Sequence, residues 1–346
     1  MHLPVQMLLG VDSMYKYYEY TGKTDFLFYV YPHIKNYLAL WKTDPQTGLV
    51  EISAKDYLWE WGDSAAEIDY VAIENAWYYL ALSRLSQMAD VIGQQEDKAT
   101  FDESLANLKA AYDKLWTENG YKTEKSKIVD ERANAVAVIS GLAEEEKYET
   151  ISNMLTTSYQ STVFMENYAL EALCKMGKIE EAQKRIRDRY KNMVDGEMAC
   201  STLWESWEYE AGSKNHAWAG GPLIIMSKYF AGIEPLKPGY DEISIKPQFG
   251  ELTEVSAKAT TLKGDIELEA EKNENSTKIK INIPTKTRVA IPKVDSDFEI
   301  KMNNKTIYKD GKNKKNKKLE FDTQDDEYVY FYVKDAGEYE FVMEKK

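Results

Sequence analysis

Glu205 stands between Trp204 and Trp207 in the run Ser-Thr-Leu-Trp-Glu-Ser-Trp-Glu-Tyr-Glu over 201–210, and His216, one of three histidines, follows between Asn215 and Trp218. Indole faces beside a carboxylate suit a sugar site. The rings stack on the C–H faces of a pyranose, and apolar neighbours can hold the acid at a raised pKa for proton transfer. A second cluster, Asp-Tyr-Leu-Trp-Glu-Trp-Gly-Asp over 56–63, offers Trp59, Trp61 and Asp63. It falls in a connection between helical patterns, where loops gather substrate groups. For both clusters a plainer reading stays open. The tryptophans would then be core, Glu205 a local cap or pair, and Asp63 the cap of a helix starting near Ala65. Glu166, near the start of an apolar helical pattern, must be paired or face a cavity, because burying it alone is expensive. Arg132, beside Asp130 and Glu131, is the candidate partner.

The remaining chemistry is narrowed by composition. A net charge of −14 excludes a general nucleic-acid footprint and disfavours anionic membranes. Two cysteines, Cys174 and Cys200, make neither a disulfide framework nor a zinc pattern. No phosphate-cradling glycine loop and no nucleophile elbow occurs. No apolar run approaches the ~20 residues of a membrane span, and Met-His-Leu-Pro does not open a signal peptide. Neither nucleic acid nor membrane is expected as a partner, and the compartment is left unassigned.

The elements that must position these residues are helical up to about Phe230. Phe101, Leu105, Leu108, Tyr112 and Leu115 form one apolar stripe, whereas Val71 to Leu82 before them is apolar nearly all round. The contrast recurs. Ala133 to Leu142 and Phe164 to Met176 read as buried helices. Tyr148, Ile151 and Leu155, then Ile179, Ala182, Ile186 and Tyr190, read as single faces of outward ones. Gly22, Gly93, Gly120, Gly141 and Gly177 supply stops. Alternating inner and outer helices predict an (α/α) toroid. With no fixed-period repeat, a solenoid is disfavoured. About nine helices, beginning and ending on inner ones, fall short of a closed double ring, so the toroid is expected to be incomplete at its N-terminus.

After Gly232 the pattern changes. Pro235, Pro238, Gly239 and Pro247 punctuate a linker-like passage, and period-two runs at 265–270, 278–283, 328–333 and 338–342 predict antiparallel strands with one wet face. The expected domains are 1–232, helical, and 233–346, a small β-sandwich. Lys-Asn-Lys-Lys-Asn-Lys-Lys over 312–318 follows the turn signal Asp310-Gly311 and reads as a solvated hairpin tip, with polyanion binding as its alternative.

Several runs resemble the bacterial α-L-rhamnosidases of glycoside hydrolase family 78. They are Thr-Leu-Trp-Glu-Ser-Trp from 202, Ser-Lys-Asn-His-Ala-Trp-Ala-Gly-Gly-Pro-Leu from 213, and Gly-Ile-Glu-Pro-Leu-Lys-Pro-Gly-Tyr from 232 with Ile-Lys-Pro from 245. Trp-Gly-Asp from 61, Asn-Ala-Trp-Tyr-Tyr-Leu-Ala-Leu from 75 and Glu-Asn-Tyr-Ala-Leu-Glu-Ala-Leu from 166 share the likeness. The resemblance implies an (α/α)6 catalytic domain, a C-terminal β-sandwich, and inverting hydrolysis of terminal α-L-rhamnosides without metal or organic cofactor. It implies that Glu205 is the base, that His216 and Trp218 bind sugar, and that Trp61 and Asp63 belong to a site loop. The partner expected is a rhamnose-containing oligosaccharide or glycoside.

One departure matters. The family's general acid lies in an Asp…Arg-x-Glu segment upstream of everything matched here, and Asp130-Glu131-Arg132 stands in the wrong place and order. A fragment lacking the general acid is therefore expected. An incomplete ring would expose apolar faces, so self-association or marginal stability is expected too. Two other readings stay in play: a non-catalytic, vestigial glycan-binding protein, and another (α/α) sugar hydrolase such as an unsaturated-uronide hydrolase. The latter would want basic residues near Glu205, where Lys214 is the main candidate.

Overall fold

The computed structural model describes residues 4–52, 67–294 and 297–345. Packing divides the chain into two compact units: Met1–Lys16 with Lys23–Pro222, and Tyr17–Gly22 with Leu223–Lys346.

The first unit is built of helical hairpins. α1 (Pro4–Thr21), α2 (Thr24–Leu38), α3 (Tyr70–Val91), α4 (Gln95–Asp113), α5 (Glu131–Ser140), α6 (Tyr148–Thr157), α7 (Val163–Lys175), α8 (Ile179–Asp195) and α9 (Gly221–Ile225) are the α-helices among the described residues. The predicted alternation is present. Helices α3, α5 and α7 are buried round most of their circumference, and α3 packs on α5 and α5 on α7. On α4 burial is confined to Leu108, Ala111 and Tyr112, and on α6 to Ile151, Ser152 and Leu155. Each outward helix therefore covers its inner neighbour with one stripe.

Side-chain oxygens start two of the inner helices, α3 and α5. Asp69 accepts from Ala72 N at 3.3 Å to cap α3, and Asp130 accepts from Arg132 N at 3.0 Å to cap α5. The cap expected at Asp63 is thus supplied by Asp69, since α3 begins at Tyr70. Gly120 is no helix stop either; it lies in a small hairpin of β1 (Trp116–Thr117) and β2 (Gly120–Tyr121).

The second unit is a sandwich of two sheets. Its strands are β3 (Ile233–Pro235), β4 (Ile243–Ile245), β5 (Glu254–Thr261), β6 (Gly264–Lys272), β7 (Ser276–Ile283), β8 (Thr287–Pro292), β9 (Phe298–Met302), β10 (Lys305–Lys309), β11 (Lys312–Asn313), β12 (Leu319–Gln324), β13 (Tyr328–Val333) and β14 (Gly337–Lys345). One sheet runs β11-β10-β9-β14-β7-β6-β5 and the other β12-β13-β8-β4-β3. Ile266, Leu268, Ile279, Ile281 and Phe341 of the first meet Val289, Ile291, Val329, Phe331 and Val333 of the second in one core.

Four expectations are corrected here. The linker-like passage contains β3 and β4, and Pro235 sits at the end of β3, where no ladder N–H is needed. Strand β4 pairs in parallel with β8, so the sheet is not wholly antiparallel. Nor does β13 keep one wet face, because Tyr328 and Tyr330 pack with Ala290 in a second cluster on its other side. The lysine run is not a hairpin tip. The turn is made at Asp310-Gly311, and residues 314–318 form the connection that carries the chain from β11 in one sheet to β12 in the other.

Candidate active site

Glu205 lies in an irregular loop that leaves α8 and returns to a 3-10 turn at Ala217–Gly220. The loop folds on itself like a ladder. Glu205 N donates to Ser213 O at 2.9 Å and His216 N to Leu203 O at 3.2 Å. Ser213 N closes the pair by donating to the Glu205 side chain, Oε2, at 2.7 Å. The turn between the two arms needs Gly212, at φ +68°, where a Cβ would stand 2.9 Å from the Glu205 carboxyl carbon.

This geometry sets the charge on Glu205. The Ser213 backbone N–H holds its carboxyl below the ordinary glutamate range. The small desolvation of this open site opposes that, while the Ser213 hydroxyl, His216 and Lys214 add to it. The raised pKa expected from flanking indoles is therefore corrected. Trp204 turns away into the protein, 2% exposed, with its ring edge-on to Tyr209 and its Nε1 donating to Cys200 Sγ. A half-exposed, ionised carboxylate results.

His216 and Trp218 make the ring surface beside it. Their centroids are 3.9 Å apart with planes 31° from parallel, and Trp218 Nε1 donates to the Glu205 carbonyl at 3.1 Å. Phe164, from the first turn of α7, backs Trp218 at 5.5 Å. His216 Nδ1 accepts from Trp218 N at 3.4 Å, which leaves Nε2 as the nitrogen carrying a proton in the neutral ring. The structure thus brings Glu205, His216 and Trp218 together.

It does not bring in Glu166 or Trp204 as sugar contacts. Glu166 is paired, as its burial demanded, but with Arg185 and Arg189 of α8, while Arg132 binds its own cap residue Asp130 at 2.7 Å. The expected Arg132 pairing fails because Arg132 Nε and Nη2 are engaged by Asp130 and the Glu67 carbonyl, while Arg185 and Arg189 face Glu166. Trp59, Trp61 and Asp63 lie outside the described residues. Sequence reasoning missed Ser213 and Gly212, which hold Glu205, and named Trp207 only as an indole beside it. For the first two the signal was a small Gly-Ser pair at the start of the second arm. Among the described residues, no three His, Cys, Asp and Glu side chains converge as metal ligands, and no helix is long and apolar enough to cross a membrane.

A carboxylate on a loop beside an aromatic platform, carried by paired inner and outer helices and followed by a β-sandwich, defines the class of six-hairpin glycosidases. The bacterial α-L-rhamnosidase six-hairpin glycosidase domain matches residues 9–230, and the bacterial α-L-rhamnosidase C-terminal domain matches 232–304. The chain belongs to this bacterial α-L-rhamnosidase family. An α-L-rhamnosidase of Formosa agariphila is 24% identical over 284 residues, a match covering 73% of this chain and 29% of the relative. The α-L-rhamnosidase structure from Dictyoglumus thermophilum superposes with a TM-score of 0.79 at 22% identity, covering 95% of this chain and 38% of that one. That of Streptomyces avermitilis, complexed with L-rhamnose, gives 0.72 at 17% identity over 94% and 31%. At these identities the structural likeness establishes the fold. The chain spans well under half the length of each.

Proposed function

We propose that this chain acts on terminal α-L-rhamnosides, with Glu205 as the base that activates water in an inverting hydrolysis. The observation that carries the reading is the Glu205 carboxylate, kept ionised by the Ser213 N–H and set against the His216–Trp218 platform. A base must be unprotonated before it can take a proton from water, and a lowered pKa secures that at neutral pH. Membership of the rhamnosidase family and the rhamnose bound in the Streptomyces avermitilis structure support rhamnose as the sugar. Trp59, Trp61 and Asp63 are proposed to complete the sugar site. We place the functional boundary at 232/233, a division that the two family ranges support. Exposed apolar side chains on the helical unit support self-association.

The uronide reading loses its cation. Lys214 sits over the Tyr209 ring at 4.4 Å, turned to aromatic and carbonyl partners of its own loop.

The test is to assay wild type and Glu205→Gln on an activated aryl α-L-rhamnoside and on a natural rhamnoside, with the first-formed anomer read by NMR. We expect the inverted anomer and a loss of at least ~10²-fold in Glu205→Gln. Hydrolysis that survives the substitution, or that retains configuration, sinks the reading. Rhamnose binding without turnover in the wild type would instead establish the glycan-binding alternative.

A further inference from the structure

Two of the buried acids lie where inner helices begin: Glu131 is the first residue of α5, and Glu166 lies in the first turn of α7. Both are 0% exposed. Two uncompensated carboxylates there would be prohibitive, and α8 answers with Arg185 and Arg189, one turn apart on the same side. Arg185 donates to both Glu166 oxygens, at 2.6 and 2.8 Å, and to Glu131 Oε1 at 2.9 Å. Arg189 Nη1 lies 3.1 Å from Glu166 Oε2, a Coulombic contact rather than an aligned hydrogen bond. Two carboxylates facing two guanidiniums leave the cluster neutral.

The cluster reaches beyond the helices. The Arg189 guanidinium lies over Trp207, its carbon 4.2 Å from the ring centroid, and Tyr190 meets the same indole edge-on at 5.1 Å. One carbonyl ties both partners: Ser161 O accepts from Arg189 Nη2 at 2.7 Å and from Trp207 Nε1 at 2.9 Å. Ser161 is in turn held by Glu131, which accepts from its N at 2.6 Å and its Oγ at 2.7 Å. Trp207 is two residues from Glu205, in a loop without regular structure to fix it.

We propose that this neutral ion cluster positions Glu205, with Arg189 and Glu166 acting through Trp207 as positioning residues. The inference rests on the reading of Glu205 as the base. Its physical basis is that a loop carboxylate displaced by about 1 Å can lose ~10²-fold in rate. Anchoring the neighbouring indole to α8 and, through Ser161, to Glu131 of α5 removes that freedom. Arginine suits the role because its flat cation covers the ring while its fork still reaches Ser161 and Glu166; a lysine ammonium does not do both.

The test uses the full chain and three variants, Arg189→Lys, Trp207→Leu and Trp207→Phe. Amide hydrogen exchange is followed at Glu205 and His216, whose N–H groups bond across the loop, with α3 and α5 amides as the reference. The pH dependence of aryl rhamnoside cleavage is measured alongside. Arg189→Lys and Trp207→Leu are expected to speed loop exchange roughly tenfold while α3 and α5 stay protected. They are also expected to move the acid limb up toward an ordinary glutamate as the Ser213–Glu205 bond loosens. Trp207→Phe keeps a ring under Arg189 and should fall between. Unchanged loop exchange in a folded Trp207→Leu overturns the proposal. So does an equal rise in α3 and α5, which marks a merely structural role. Should Arg189→Lys not fold, Trp207→Leu at the half-buried indole carries the test. If Glu205→Gln retains full activity, the base assignment fails, and the exchange data still judge the clamp by themselves.

Discussion

At the scale of single residues, one backbone N–H decides the character of the site. The Ser213 amide is the largest of the groups that hold the Glu205 carboxyl below its ordinary range, so Glu205 is ionised earlier in a titration. Because the folded value is depressed, activity that needs the carboxylate should persist below the pH at which a free glutamate protonates. It should be lost as pH falls through the lowered value. A pH–rate profile on an aryl rhamnoside, with the acid limb below the ordinary glutamate pKa, is the expected result. Gly212 is the second deciding residue. Gly212→Ala places a methyl 2.9 Å from Glu205 Oε2 and forces alanine to φ +68°. We expect strain of about 1–3 kcal/mol in the loop and, with the carboxylate pushed aside, a loss of ~10²-fold in kcat/KM. Wild-type kinetics in Gly212→Ala would show that the carboxylate needs no such space.

Elements add what residues alone do not supply: burial that makes charges interdependent. Burial by itself would raise the Glu131 pKa, but Arg185, with Ser158 and Ser161, outweighs it and leaves the carboxyl lowered. Its stabilisation is therefore present above the ordinary carboxylate range and is lost as pH falls below about 5, through the folded value. Glu131→Gln leaves Arg185 and Arg189 to share Glu166 alone, with one buried positive charge in excess, and should cost about 3–5 kcal/mol at neutral pH, measured by urea unfolding. The variant should lose less further stability than wild type on going to pH 3. Equal acid sensitivity in both would remove Glu131 from the account. In the β unit the critical contact is backbone on backbone. Gly232, at φ +68°, would bring a Cβ to 1.9 Å from Lys246 O, beside the Ile233–Ile245 pairing. Gly232→Ala is expected to break the β3–β4 pairing, seen as lost amide protection at Lys246 and Gln248, whose N–H groups donate to Gly232 O and Phe230 O.

For the whole molecule, solubility turns on apolar side chains that the described structure leaves open. Phe28 and Tyr29 on α2 are 59% and 72% exposed, and Leu40 just after it is 75% exposed. Exposed apolar side chains of that kind favour association, opposed by a net charge of −14. Sedimentation velocity is expected to show concentration-dependent association that strengthens with salt and weakens in Phe28→Gln/Tyr29→Gln. A monomer at all concentrations and salts would contradict this.

The sequence by itself determined the alternation of inner and outer helices, the change to strands after Gly232 and the family. Each of these is written in local periodicity or short motifs: all-round apolar α3, α5 and α7 have no other stable place than under the striped helices. It also singled out Glu205, His216 and Trp218, because their types and close spacing carry their chemistry. Only the tertiary structure decided how those residues are held. Arg185 and Arg189 look like ordinary charges on an amphipathic helix, and nothing near them in the chain marks them as buried. Their partners, Glu131 and Glu166, come from two other helices, 54 and 19 residues away. The same holds for Glu205, whose pKa is set by a donor eight residues on that reaches it because the loop turns at Gly212. Periodicity reports which face of an element is apolar; which charges meet across elements depends on packing distances that no local pattern encodes.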